Sequence, residues 1–115
     1  MFLGLRTVIY PAPDLAAAKA WYTALLGFEP YFDEPFYVGF DVGGYELGLH
    51  PETDVAETYW GVEDIEAAHA ALLAAGATER SPVSDVGAGI RVATVHETSG
   101  AVLGIIENPN FKSGA

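Results

Sequence analysis

The stretch Pro13-Asp14-Leu15-Ala16-Ala17-Ala18-Lys19-Ala20-Trp21-Tyr22-Thr23-Ala24-Leu25-Leu26-Gly27-Phe28 decides the fold. Asp14 stands where a helix N-cap belongs, with a carboxylate that can accept a free N–H of the first turn. Leu15, Ala18, Tyr22 and Leu25 recur at helical spacing and predict one apolar face, flanked by Trp21 and Leu26. Trp21 and Tyr22 are expected to pack in the core. Gly27 supplies the left-handed residue that ends the helix. The same grammar then returns. Asp14-Leu15-Ala16-Ala17-Ala18 aligns with Asp64-Ile65-Glu66-Ala67-Ala68 at an offset of 50, and Leu26-Gly27-Phe28 with Ala75-Gly76-Ala77 at 49. Gly44-Tyr45-Glu46-Leu47-Gly48-Leu49 aligns with Gly100-Ala101-Val102-Leu103-Gly104-Ile105 at 56.

Around each helix the residues read as strands. Leu5 to Tyr10 is β-branched and stopped by Pro11, and Phe36 to Val42 alternates aromatic and β-branched residues. A short strand is expected over Glu29 to Asp33. Gly43-Gly44 forms a two-residue hairpin turn, after which Tyr45, Leu47 and Leu49 share one face and Glu46, Gly48 and His50 the other. Glu57 to Val62, Thr78 to Val83, Ile90 to His96 and Val102 to Glu107 repeat the series around a helix with the stripe Ile65, Ala68 and Leu72. Ser81 to Gly89 reads as a loop, a candidate flap. Two copies are too few for a solenoid. The expected fold is α+β: a single domain over 1–115, with module one at about 4–50, a linker at 51–56 and module two at about 57–109. Each module is βαβββ, its helix covering one sheet face, and the two curved sheets are expected to form a cup.

Sixteen acidic residues face five cations, a net charge of −11. A nucleic-acid binder needs a basic stripe to displace counterions from phosphates, and an anionic membrane surface repels such a chain. With no cysteine there is no disulfide framework and no thiolate metal site. No apolar run is long enough to span a membrane, and nothing in the first residues marks export, so the expected location is cytoplasmic. The implied partner is a small molecule.

These motifs resemble the vicinal oxygen chelate superfamily, the glyoxalase, bleomycin-resistance and extradiol-dioxygenase group. The resemblance runs from about Leu5 to Phe111. It is carried by Asp14-Leu15 through Trp21-Tyr22 to Leu26-Gly27-Phe28, by Val62-Glu63-Asp64-Ile65 with Gly76-Ala77, and by Glu97-Thr98-Ser99-Gly100. It implies metal ligands on the first and last strand of each module. Those positions hold Thr7 and Glu57, and Gly48 and Gly104. One carboxylate does not make the three or more donors a transition ion needs, so no metal and no other cofactor is expected. A divalent ion enters only if Glu46, His50 and His96 join Glu57 in a shifted set.

Strand parity places Thr7, Tyr37, Asp41, Glu46, His50, Glu57, Tyr59, Thr94 and His96 on the cup side as candidate ligand-binding residues. Glu57 and Glu46 are the candidate bases, since partial burial brings a carboxyl toward useful acid–base values. Tyr37 and Tyr59 are the candidates for stacking on a ligand, and His69 reads as a helix-flank residue. The first functional reading is a metal-independent binding protein for a small molecule such as a cationic antibiotic or metabolite. The alternative is a lyase, isomerase or dioxygenase of the superfamily, with Glu57 or Glu46 as base or shifted metal ligand. Assembly is expected to be a homodimer, with Trp60 and Phe2 or Phe111 at the seam.

Overall fold

The structure, a computed structural model, describes residues 1–110. Phe111 lies outside them. The elements run β1 (Phe2–Pro11), α1 (Leu15–Leu26), β2 (Phe32–Glu34), β3 (Tyr37–Val42), β4 (Tyr45–His50), β5 (Glu57–Val62), α2 (Ile65–Ala74), β6 (Thr78–Gly87), β7 (Ile90–His96) and β8 (Val102–Glu107). Among the described residues no helix is long and apolar enough to cross a membrane. The chain divides into two compact units, Thr7–Glu57, and Met1–Arg6 with the chain from Thr58 onward.

In the unit Thr7–Glu57 the strand order is β2-β3-β4-β1. β4 runs parallel to β1, pairing Thr7 with Glu46 and Ile9 with Gly48, and antiparallel to β3, pairing Gly39 with Gly48 and Asp41 with Glu46. Asp14 caps α1 through Ala17 N–H, and Gly27 ends it at φ 84°. The face of α1 that packs consists of Leu15, Ala18, Tyr22 and Leu26, set against Ala12, Val38, Phe40 and Leu49. Burying the Phe40 ring completely is worth about 1.5–3 kcal/mol. Leu25 and Trp21 depart from expectation, being 64% and 61% exposed. The helix turns its stripe toward Leu26, and Trp21 forms a T-shaped pair with Tyr22, with ring centroids 4.9 Å apart. The second strand also sits later than expected, at Phe32–Glu34.

In the other unit the order is β5-β8-β7-β6. Asp64 caps α2 through Ala67 N–H, and Ile65, Ala68 and Leu72 pack with Val62, Ala93 and Ile105 as the sequence stripe requires. Met1–Arg6 belongs here: the Phe2 and Trp60 rings lie 4.8 Å apart. Of the expected loop Ser81 to Gly89, only Ala88 and Gly89 turn. β6 continues to Gly87, with register shifts on either side of Ser81 and again between Asp85 and Gly87. Pro82 is tolerated because β6 pairs only with β7 and its missing N–H costs no ladder bond on the outer side.

Candidate functional site

The chemistry gathers on the face of the β3–β4–β1 sheet turned away from α1. Register puts Glu46, Gly48 and His50 there, beside Thr7 and Ile9 of β1 and Tyr37, Gly39 and Asp41 of β3. The buried Thr7 hydroxyl donates to Glu46 Oε1 at 3.0 Å, and the Tyr31 hydroxyl donates to Glu46 Oε2. Tyr31 is 63% exposed as a residue, yet partial desolvation, then the bond to Glu46, raises it above the usual tyrosine range, with the charges of Glu46 and Asp41 adding to the shift. Tyr31 therefore stays a protonated donor. Sequence reading missed it, because the strand expected over Glu29 to Asp33 was assigned no cup-side face, and Tyr31 in fact precedes β2. The signal that could have found it is Gly39, a strand glycine that leaves a slot for a neighbour. Tyr31 N–H donates to the Gly39 carbonyl at 3.0 Å.

The remaining candidates of this unit have identifiable occupations. The Tyr37 hydroxyl lies directly over Gly48. His50 Nδ1 accepts from Glu52 N–H at 2.9 Å, and its ring meets Tyr37 edge-on at 6.2 Å. Asp41 caps the hairpin by accepting from Gly44 N–H at 2.9 Å. Glu57 is 8% exposed and accepts from the Thr53 hydroxyl at 2.9 Å. Glu57 is thus a buried, hydroxyl-bonded carboxylate, and Glu46 a carboxylate held by a hydroxyl on each oxygen.

In the other unit Tyr59 and Thr94 are buried and His96 is exposed. The Tyr59 ring covers Gly104. Thr94 Oγ1 sits 2.5 Å from Ser81 Oγ and accepts from Arg80 Nη1 at 3.3 Å. His96 Nδ1 lies 3.3 Å from the Gly100 carbonyl, at the turn. His69 stands on the flank of α2, 3.2 Å from Glu79 Oε1.

The model of the Glyoxalase/Bleomycin resistance protein/Dioxygenase superfamily matches residues 4–105. The chain belongs to this superfamily. Its fold is that of solved members. A methylmalonyl-CoA epimerase variant from Streptomyces coelicolor, in complex with 2-nitronate-propionyl-CoA, is 17% identical at a TM-score of 0.76, over 98% of this chain and 99% of that one. A superfamily member from Vibrio splendidus is 18% identical at 0.68, over 90% and 97%. A Legionella pneumophila protein described as an NAD-dependent benzaldehyde dehydrogenase is 17% identical at 0.72, over 89% and 97%. No curated protein matches the sequence.

Members of this superfamily often carry a divalent metal, and the positions that would supply its donors here are Thr7, Gly48, Glu57 and Gly104. Thr7 is committed to Glu46, Gly48 and Gly104 have no side chain, and Glu57 alone supplies a carboxylate. A Cβ at Gly48 would lie 2.0 Å from Tyr37 Oη, and one at Gly104 would lie 2.6 Å from Tyr59 Cδ2. Among the described residues no group of three or more His, Asp or Glu side chains is placed to hold an ion. The residues present do not fit a metal.

Proposed function

We propose that this superfamily member is a metal-independent binding protein for a small organic cation. The observation that carries the reading is Glu46, a carboxylate presented on the helix-free sheet face with a hydroxyl on each oxygen. Tyr37 and His50, on the same face, would supply apolar and hydrogen-bonding contacts, and the net charge of −11 would speed capture of a cation. Calorimetric titration with a cationic glycopeptide and an aminoglycoside, at low and high salt, tests it. Binding that weakens with salt is expected. No binding at millimolar ligand would overturn the reading.

A second reading is supported by Glu57, whose burial suits a base in a metal-free lyase or isomerase. Turnover that is lost in Glu57→Gln with the fold intact would favour it over binding alone. We also propose a homodimer, since closed two-fold pairs are the commonest soluble oligomers. Phe2 and Trp60 lie ring against ring within one chain and Phe2 is still 37% exposed, so the pair offers an apolar edge that a second copy would cover. Light scattering at about 150 mM salt, where charge repulsion is screened within about 8 Å, tests this. A mass near the chain's 12.2 kDa refutes it.

A further inference from the structure

We infer that Tyr31, Thr7 and Gly39 form a holder that fixes the Glu46 carboxylate as an anchor for an N–H-bearing planar cation, an amidinium or guanidinium, with Tyr31 as the positioning residue. The inference rests on the cation-binding reading above and deepens it. A carboxylate offers about four acceptor positions over its two oxygens. Thr7 takes one on Oε1 and Tyr31 one on Oε2. One position remains on each oxygen, which suits a two-pronged N–H fork spanning both.

Gly39 makes the holder sterically feasible. A Cβ at this position would lie 2.9 Å from Glu46 Oε2 and 3.2 Å from Tyr31 Cε1. Any side chain there would push the carboxylate and the phenol apart. The Gly39 carbonyl also receives the Tyr31 N–H, so one residue both tethers Tyr31 and leaves space for its ring. Thr7 is buried and bonded across the β1–β4 pair, which fixes the other oxygen to a rigid element.

Two measurements separate the holder from the ligand. The first needs no ligand: the Tyr31 Cζ resonance is followed through alkaline titration. The charged groups facing its hydroxyl are Glu46 and Asp41. Tyr31 should stay protonated beyond the other tyrosines, Glu46→Gln should bring its titration down, and Asp41→Asn should move it less. A Tyr31 that titrates with the others, or ignores Glu46→Gln, overturns the holder. The second uses benzamidinium and tetramethylammonium as probes. Tyr31→Phe should weaken benzamidinium by about tenfold, the scale of one hydrogen bond to a charged group. Tetramethylammonium, which has no N–H, should be unaffected. Equal losses for both probes, or no loss for either, overturn the anchor role. Binding of neither probe to the native protein overturns the cation reading itself and the anchor with it, while the titration still judges the holder.

Discussion

The Tyr37 hydroxyl occupies the place where a side chain at Gly48 would begin, 2.0 Å from a Cβ built there. Gly104 stands in the same relation to Tyr59, whose ring carbons lie 2.6–2.8 Å from its Cβ position. Each unit has laid a tyrosine over a strand glycine, which restores the burial that the missing side chain forfeits. These two glycines stand where the superfamily resemblance implies metal donors. The absence of the donors is therefore packed in, because a carboxylate at either position would first have to displace a ring.

Gly48→Ala should cost about 1–2 kcal/mol, the range for modest overpacking, because Tyr37 is only half-buried and can swing aside. Gly104→Ala should cost more, about 2–3 kcal/mol, since Tyr59 is 8% exposed and has no free direction to move. Urea unfolding measures both. In each pair the double variant that also truncates the tyrosine should be less destabilised than the sum of its singles. Additive effects would show that the ring and the glycine are not coupled.

Dialysis against Zn²⁺, Ni²⁺ or Mn²⁺ followed by desalting should leave no stoichiometric metal on the protein. The donor count is the reason: a lone Glu57 carboxylate holds hydrated divalent ions weakly. One equivalent of metal that disappears in Glu57→Gln would show a shifted donor set.

Much of this architecture was legible because its signals are local. Asp14 and Asp64 announce their helices through the free N–H groups they cap. The alternation of Tyr45 to His50 fixed which side of β4 is polar. Trp21 and Leu25 were misplaced because a helix with alanine at so many positions has a broad apolar arc, and periodicity cannot say which part of it turns to the sheet. Ser81 to Gly89 was misread because Pro82 and two glycines look like loop residues, whereas an edge strand accepts proline and bulges. Tyr31 escaped for a third reason. Its bond to Glu46 joins residues 15 apart, and Tyr31 lies just ahead of the strand that was expected to contain it, so only the tertiary fold brings the two together.

The turn at Glu97 should be acid-labile. Its carboxylate accepts from the Ser99 hydroxyl, from Ser99 N–H at 2.6 Å and from Ala101 N–H at 3.1 Å. These bonds, led by the Ser99 hydroxyl, hold its carboxyl below the usual glutamate range. A depressed folded-state value means the contribution is complete above the ordinary glutamate pKa and is lost as the pH falls through the folded value. Amide exchange at Ser99 and Ala101 should therefore accelerate on acidification, beyond the intrinsic pH trend. Glu97→Gln should remove that pH dependence. An unchanged profile in the variant would show that the carboxylate does not hold the turn.

The hairpin between β6 and β7 carries a correctable strain. Gly87 pairs with Ile90, leaving Ala88 and Gly89 as a two-residue loop, both with positive φ, at 55° and 77°. Such a turn favours Asn-Gly, because Asn tolerates the left-handed region that brings an alanine Cβ close to the carbonyl oxygen at a cost of about 1–2 kcal/mol. Ala88 is exposed, and its carbonyl, which accepts from Asn110 Nδ2 at 3.1 Å, survives any side-chain change. Ala88→Asn should therefore stabilise the protein by about 0.5–1 kcal/mol, the usual yield of a turn correction. Ala88→Val, β-branched in the same conformation, should destabilise it by at least as much. Urea midpoints of the two variants, one above and one below the parent, are the expected result. A lower midpoint for Ala88→Asn would mean that the hairpin does not adopt this turn.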